Sequence, residues 1–149
     1  MRGLVGVRWG QGMQRGEIYW LPFGEPCQKL DEETGAPILG EAGNVVLETK
    51  KRPVIVVSRD NLNQGNYVVV VPCYSQDVDR RARFPNNVVL EKGEGGLTKR
   101  CVCRTDQITY IDKKLIDWAH DKLGRLTSNR MDEIVKAIRW VIRDSELSD

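Results

Sequence analysis

Two valine-rich blocks constrain this chain most. Pro53-Val54-Ile55-Val56-Val57-Ser58 and Tyr67-Val68-Val69-Val70-Val71 are continuous apolar runs dominated by β-branched residues. They are too short for membrane spans, and they do not alternate with polar residues. Such runs read as strands buried on both faces. Asn61 to Asn66 supplies the turn between them, and Pro72 is expected to end the second strand. An earlier strand, Glu17 to Leu21, stops at Pro22. A later one, Val88-Val89-Leu90, runs into the glycine loop Gly93-Glu94-Gly95-Gly96. Lys99 to Gln107 reads as a further strand, in which small half-apolar residues alternate with polar ones. The first two-thirds is thus nearly all β, with short strands and turn-rich joins, which predicts a small β-barrel.

The last third is helical. Asp112 is placed to cap a short helix through His120, broken at Gly124. Thr127 or Ser128 can cap a longer one. There Met131, Ile134, Val135, Ile138, Val141 and Ile142 form an apolar stripe at helical spacing. The expected fold is mainly β with a C-terminal helix lying against the barrel, an α+β arrangement. Residues 1–12 read as a loose arm and residues 13–149 as a single domain. Phe23 to Lys51 is a long connection with a hairpin expected about Gly40 to Asn44. Connections of that length in a compact domain are usually functional or mobile.

A formal net charge of +2 does not by itself select a nucleic-acid partner. Basic residues do cluster, at Lys50-Lys51-Arg52, at Arg80-Arg81 with Arg83, and at Lys99-Arg100 with Arg104. Solvated mixed faces are the commoner explanation for such runs. No stretch approaches the ~20 apolar residues of a membrane span, and no leader pattern opens the chain. Cytoplasmic residence with reduced thiols is the expectation. Cys101-x-Cys103 lacks a second pair to complete a zinc site. Cys73, Cys101 and Cys103 read as buried small hydrophobes.

The chemistry-bearing inventory is short. The single histidine, His120, sits among charged residues on a predicted helix and reads as solvent-facing. No metal-ligand spacing, phosphate-binding loop or dinucleotide fingerprint is present, so neither metal nor cofactor is expected. Alternation puts Arg104 and Asp106 on one face of their strand, with Cα atoms about 7 Å apart. Such a pair can be a structural ion pair. It can also serve phosphodiester cleavage in RNA, where the substrate carries its own nucleophile, the 2′-OH. Asp106 would take the hydroxyl proton, and Arg104 and Arg52 would neutralise phosphorane charge. Tyr74 and Ser75 follow Pro72 at the barrel rim. Tyr74 can stack on an unpaired base and Ser75 can hydrogen-bond a phosphate.

In order and spacing, these segments resemble the MazF/PemK family of toxins. The resemblance rests on Arg15-Gly16-Glu17-Ile18, Lys51-Arg52-Pro53-Val54, Val70-Val71-Pro72, Gly96-Leu97, Arg104-Thr105-Asp106-Gln107-Ile108, Ile111-Asp112 and Gly124-Arg125-Leu126. It implies an SH3-like barrel with a C-terminal helix, a homodimer, and metal-independent, sequence-selective cleavage of single-stranded RNA. It further implies inhibition by an antitoxin whose disordered tail lies across the site. The Arg-x-Asp-Gln form is similar to the PemK/Kid branch. By that resemblance Arg104 is the acid, Asp106 the base and Arg52 a phosphate or transition-state contact; Arg15, Tyr74, Ser75 and Gln107 are expected to contact substrate. Three departures bear on rate and base preference. Tyr74 replaces a threonine, Thr109 replaces an arginine, and the first-loop histidine of that branch has no counterpart. They leave room for a rival reading, a non-enzymatic binding toxin like CcdB on the same fold.

Overall fold

The structure, a computed structural model, describes residues 13–143. The arm expected over residues 1–12 lies outside them. Nine strands are present among the described residues. Seven form one antiparallel sheet: β1 (Glu17–Pro22), β4 (Lys51–Val56), β5 (Tyr67–Tyr74), β6 (Asn87–Leu90), β7 (Cys101–Arg104), β8 (Thr109–Asp112) and β9 (Lys122–Arg125). Their order is β6-β7-β5-β4-β1-β9, with β8 beside the first half of β5. The two others, β2 (Cys27–Gln28) and β3 (Leu47–Glu48), pair with each other. They form a ribbon within the long connection, closed by a turn in which the Gly40 N–H donates to the Asn44 carbonyl at 2.8 Å. That is the hairpin expected there.

The valine-rich blocks are strands because both faces of the sheet are covered. Ile55, Val57, Val71 and Cys73 join one core with Leu90, Cys101, Cys103, Met131 and Ile134. The intervening Val54, Val56, Val68 and Val70 join a second core with Tyr19, Leu21 and Ile116. Period-two alternation therefore deals successive apolar side chains to two different cores. The sheet curls as a half-barrel about the first core, which helix α3 (Ser128–Ile142) closes. Thr127 caps this helix, its hydroxyl accepting from the Arg130 N–H. Met131, Ile134 and Ala137 are buried from the helix, whereas Ile142 is exposed.

Several expectations are corrected. β5 runs through Pro72 to Tyr74. One flank of β5 changes partner here, from β8 at Val70 to β7 at Cys73, so Pro72 interrupts no register pair on that side. The strand expected over Lys99–Gln107 is shorter, because Thr105–Gln107 forms a 3-10 turn. The helix expected from Asp112 is broken up. Asp112 ends β8 and caps the turn Lys113–Leu115, and only the single-turn helix α2 (Trp118–Asp121) follows. Gly124 does not break a helix; it lies in β9, which pairs with β1. A Cβ at Gly124 would stand 2.4 Å from the Gly95 carbonyl oxygen, so glycine is needed where two backbones cross. Between β5 and β6 lies the single-turn helix α1 (Val78–Arg81).

Candidate active site

The site is built where the end of β5 and the start of β6 flank β7. Cys73 opposes Cys103 and Tyr74 opposes Val102, so the end of β5 lies beside β7. Asn87 opposes Arg104, which brings the start of β6 to the end of β7. After Arg104 the chain turns instead of continuing flat. The buried Thr105 hydroxyl donates to the Asn86 carbonyl, and the Ile108 N–H donates back to Thr105 at 3.2 Å. The turn still keeps Arg104 and Asp106 together. Arg104 Nη2 donates to Asp106 Oδ2 at 2.8 Å. The other oxygen, Oδ1, accepts from Asn86 Nδ2 at 3.0 Å.

Tyr74 is the hub. The guanidinium carbons of Arg52, Arg81 and Arg104 lie 4.2, 4.9 and 5.6 Å from its ring centroid. These are cation–π distances. Its hydroxyl donates to Gln107 Oε1. Arg52 is held from the other side, its Nε donating to the Phe23 carbonyl at 3.0 Å. Ser75 is exposed just beyond β5. With Lys51, Arg52, Tyr74 and Lys99 it lines a groove of about 260 Å³. A second groove of about 370 Å³ is lined by Arg80, Arg81, Phe84, Asn86, Arg104 and Asp106.

Six of the seven sequence-predicted site residues therefore share one neighbourhood: Arg52, Tyr74, Ser75, Arg104, Asp106 and Gln107. Arg15 does not join them. It stands at the opposite end of the β1–β4 ladder, where its Nε donates to the Val57 carbonyl at 2.9 Å and its backbone N–H to Asp60 at 2.8 Å. The motif around it is structural. Gly16 has φ near +95°, and Glu17 is a buried carboxylate accepting from Tyr19 at 3.0 Å and paired with Lys122. His120 is exposed, as expected, and pairs with Asp117 at 2.7 Å. The cysteines expected in the core are there, and all are free thiols.

Sequence reasoning missed Arg81 and Asn86. Arg81 was visible only as part of the Arg80-Arg81 cluster, which reads more simply as a solvated face. Asn86 gave no signal, because its role depends on the β6–β7 register.

The arrangement suits an anion. Three guanidinium groups meet one carboxylate, and planar guanidinium forks match phosphate oxygens. Asp106 is partly exposed, with 38 % of its side chain accessible. A substrate can reach it, but must displace Arg104 or Asn86 to use it. Among the described residues, no group of three or more His, Cys, Asp or Glu side chains is placed to hold a metal ion. No helix among them is long and apolar enough to cross a membrane.

Comparison with known proteins bears on the fold and the family. The chain is 30 % identical to the endoribonuclease MazF of Staphylococcus epidermidis over 87 residues, 58 % of this chain and 69 % of that protein. It is 23 % identical to endoribonuclease MazF6 of Mycobacterium tuberculosis over 130 residues, 87 % of this chain and 96 % of that one. Among solved structures, it superposes on a mycobacterial endoribonuclease in complex with its cognate antitoxin. The TM-score is 0.55 at 19 % identity, covering 87 % of this chain and 93 % of that one. It also superposes on MazF from a MazE–MazF structure of Deinococcus radiodurans, with a TM-score of 0.55 at 16 % identity, covering 89 % and 96 %. These likenesses establish the fold. The family model for PemK-like, MazF-like toxins of type II toxin–antitoxin systems matches residues 14–142, nearly the whole chain, which therefore belongs to that family.

Proposed function

We propose that this protein is a metal-independent endoribonuclease toxin that cleaves single-stranded mRNA, with Arg104 and Asp106 as its acid and base. The observation that carries the reading is the 2.8 Å Arg104–Asp106 pair standing beside Arg52 and Tyr74, where β7 is flanked by the end of β5 and the start of β6. RNA supplies the nucleophile. Asp106 takes the 2′-OH proton as that oxygen bonds to the adjacent phosphorus. The bond from phosphorus to the 5′ oxygen breaks, and Arg104 protonates the leaving oxygen. The products are a 2′,3′-cyclic phosphate and a 5′-hydroxyl end, and solvent exchange restores both side chains. Arg104 and Arg52 neutralise the phosphorane. Ser75 holds a phosphate oxygen, Gln107 fixes the Tyr74 hydroxyl, and the Tyr74 ring offers a face to a base.

The curated relatives are named as endoribonucleases, and one solved neighbour is held by a cognate antitoxin. We extend both properties to this chain, together with a homodimeric state, cytoplasmic residence and placement in the PemK/Kid branch. The direct test is cleavage of a mixed RNA substrate in EDTA by the wild type, Arg104→Ala and Asp106→Ala. Loss of cleavage in both variants, with cyclic-phosphate ends from the wild type, is the expected result. A requirement for a divalent metal, or survival of activity in both variants, rejects the mechanism.

Two observations favour a CcdB-like, non-enzymatic binding toxin. Both Asp106 oxygens are engaged, and a bulky ring occupies the hub. That reading predicts growth arrest with cellular RNA left intact.

A further inference from the structure

Arg81 stands apart from the other cations of the site. Arg104 is neutralised by Asp106 and Arg80 by Asp77. Arg52 spends its Nε on the Phe23 carbonyl. Among the described residues, no salt bridge reaches Arg81, and its Nη1 is buried without a hydrogen-bond partner. Folded proteins pair nearly all such groups, so an orphan beside a candidate site asks for a ligand. The position of Arg81 is well fixed. Its carbonyl accepts from Asn87 Nδ2 at 2.8 Å, which ties the end of α1 to β6 at the residue that pairs with Arg104 across the sheet. Its guanidinium lies 4.9 Å from the Tyr74 centroid. Arg81 also lines the ≈ 370 Å³ groove that Arg104 and Asp106 share.

We infer that Arg81 is a substrate-binding residue of the proposed ribonuclease, holding the RNA phosphate next to the scissile one, on the α1 side of Arg104. The inference rests on the RNA-cleavage reading and adds a direction to it. The strand passes from the Arg52–Ser75–Lys99 groove, across Tyr74, into the Arg81 groove. Charge supports this path. The first groove contributes Lys50, Lys51, Arg52 and Lys99. The second contributes Arg80, Arg81 and Arg104 against the single carboxylate of Asp106.

The test is binding of a fluorescent, fully 2′-O-methylated RNA pool, which lacks the nucleophile and cannot be cleaved. Affinity is measured across a salt series for the wild type, Arg81→Met and Arg81→Lys, alongside thermal unfolding. A phosphate contact predicts that Arg81→Met binds about tenfold more weakly and that its log–log salt slope is shallower by about 0.7. Arg81→Lys should keep the wild-type slope, since the charge remains, and lose only a few-fold in affinity with its planar fork. If Arg81→Met lowers the melting temperature yet binds with wild-type affinity and slope, Arg81 is a structural cation and the inference is overturned. If the folded wild type binds no RNA at all, the ribonuclease reading itself falls.

Discussion

The guanidinium carbon of Arg52 lies 4.2 Å from the centroid of the Tyr74 ring, nearer than that of Arg81 or Arg104. Tyr74 thus does more than occupy the position where the resembled family has a threonine. It gathers three like charges around one π system, and its hydroxyl ties the cluster to Gln107. Each cation–π contact is worth about 0.5–1 kcal/mol at a partly exposed site. Tyr74→Phe keeps the ring and should retain RNA cleavage within a few-fold. Tyr74→Ala releases all three arginines, and should lower kcat/KM by more than about tenfold. Steady-state cleavage of a fluorogenic RNA separates the two. Equal loss in both variants would assign the effect to the hydroxyl, not the ring.

Asn86 donates to Asp106 Oδ1 at 3.0 Å, and its own carbonyl accepts from the buried Thr105 hydroxyl. In the proposed mechanism it is a positioning residue, since its hydrogen bond fixes which lone pairs of the carboxylate face the groove. Asn86→Ala should lower kcat by about tenfold, in keeping with the usual cost of misplacing a general base. Affinity for uncleavable RNA should hardly change, because no charge is lost. A change in affinity with kcat preserved would instead make Asn86 a substrate contact.

The pairing of Arg104 with Asp106 was legible because two residues apart is a short reach in either a strand or a turn. The two valine blocks were legible because burial on both faces leaves no polar position to confuse them. Non-local pairing hid the rest. Lys122-Leu123-Gly124-Arg125 carries two charges and a glycine, and becomes a strand only because β1 lies beside it. Thr109–Asp112 exposes Tyr110 and is a strand only through β5. Arg15 carries the signature of a site residue in sequence. Its contacts with Val57 and Asp60 show that the motif around it serves the β1–β4 ladder. Arg81 and Asn86 reach the site through the β6–β7 register, which no local pattern encodes.

The thiols offer a test of the core. Cys73, Cys101 and Cys103 are buried, and only Cys27 is partly accessible. Hydrogen bonding with Cys73, followed by burial, pushes the Cys101 thiol well above its ordinary range. The Cys73 thiol is raised as well. Its hydrogen bond to Cys101 acts downward, but the hydrogen bond to Cys103 and burial outweigh it. Thiolate is the reactive form, so native protein near neutral pH should be alkylated by iodoacetamide once, at Cys27. All four cysteines should react after denaturation. Rapid native labelling of Cys101 would show that the groove beside Tyr74 opens to the core.

Gly96 has φ near +82°, and a Cβ built there would stand 2.0 Å from the Leu123 carbonyl oxygen. That atom is backbone and cannot swing aside. Gly96→Ala should therefore cost more than about 2 kcal/mol, combining strain in the left-handed region with displacement of β9. Gly93 also has positive φ but nothing within 4 Å. Gly93→Ala should cost only the backbone strain, about 1 kcal/mol. Urea unfolding of the two variants compares them directly. Equal losses would mean that the crossing of the glycine loop over β9 is not tight in solution.

The glycine loop is also fastened electrostatically. Arg130, in the first turn of α3, donates from Nε to Glu94 Oε1 at 2.7 Å and from Nη2 to Oε2 at 2.8 Å, a two-point fork. This hydrogen bonding holds the Glu94 carboxyl below its ordinary value. A carboxyl whose pKa is lower folded than unfolded stabilises the fold above its unfolded value, and that contribution fades as pH falls through the folded value. The wild type should thus be more stable than Glu94→Gln by about 1 kcal/mol at neutral pH, allowing for partial exposure of the pair. The difference should persist down to roughly the ordinary glutamate pKa and shrink at more acidic pH. Thermal melts of both proteins across that range read it out. A difference that grew on acidification would have the wrong sign, and would show that the loop is held to the helix by packing and not by the Arg130–Glu94 fork.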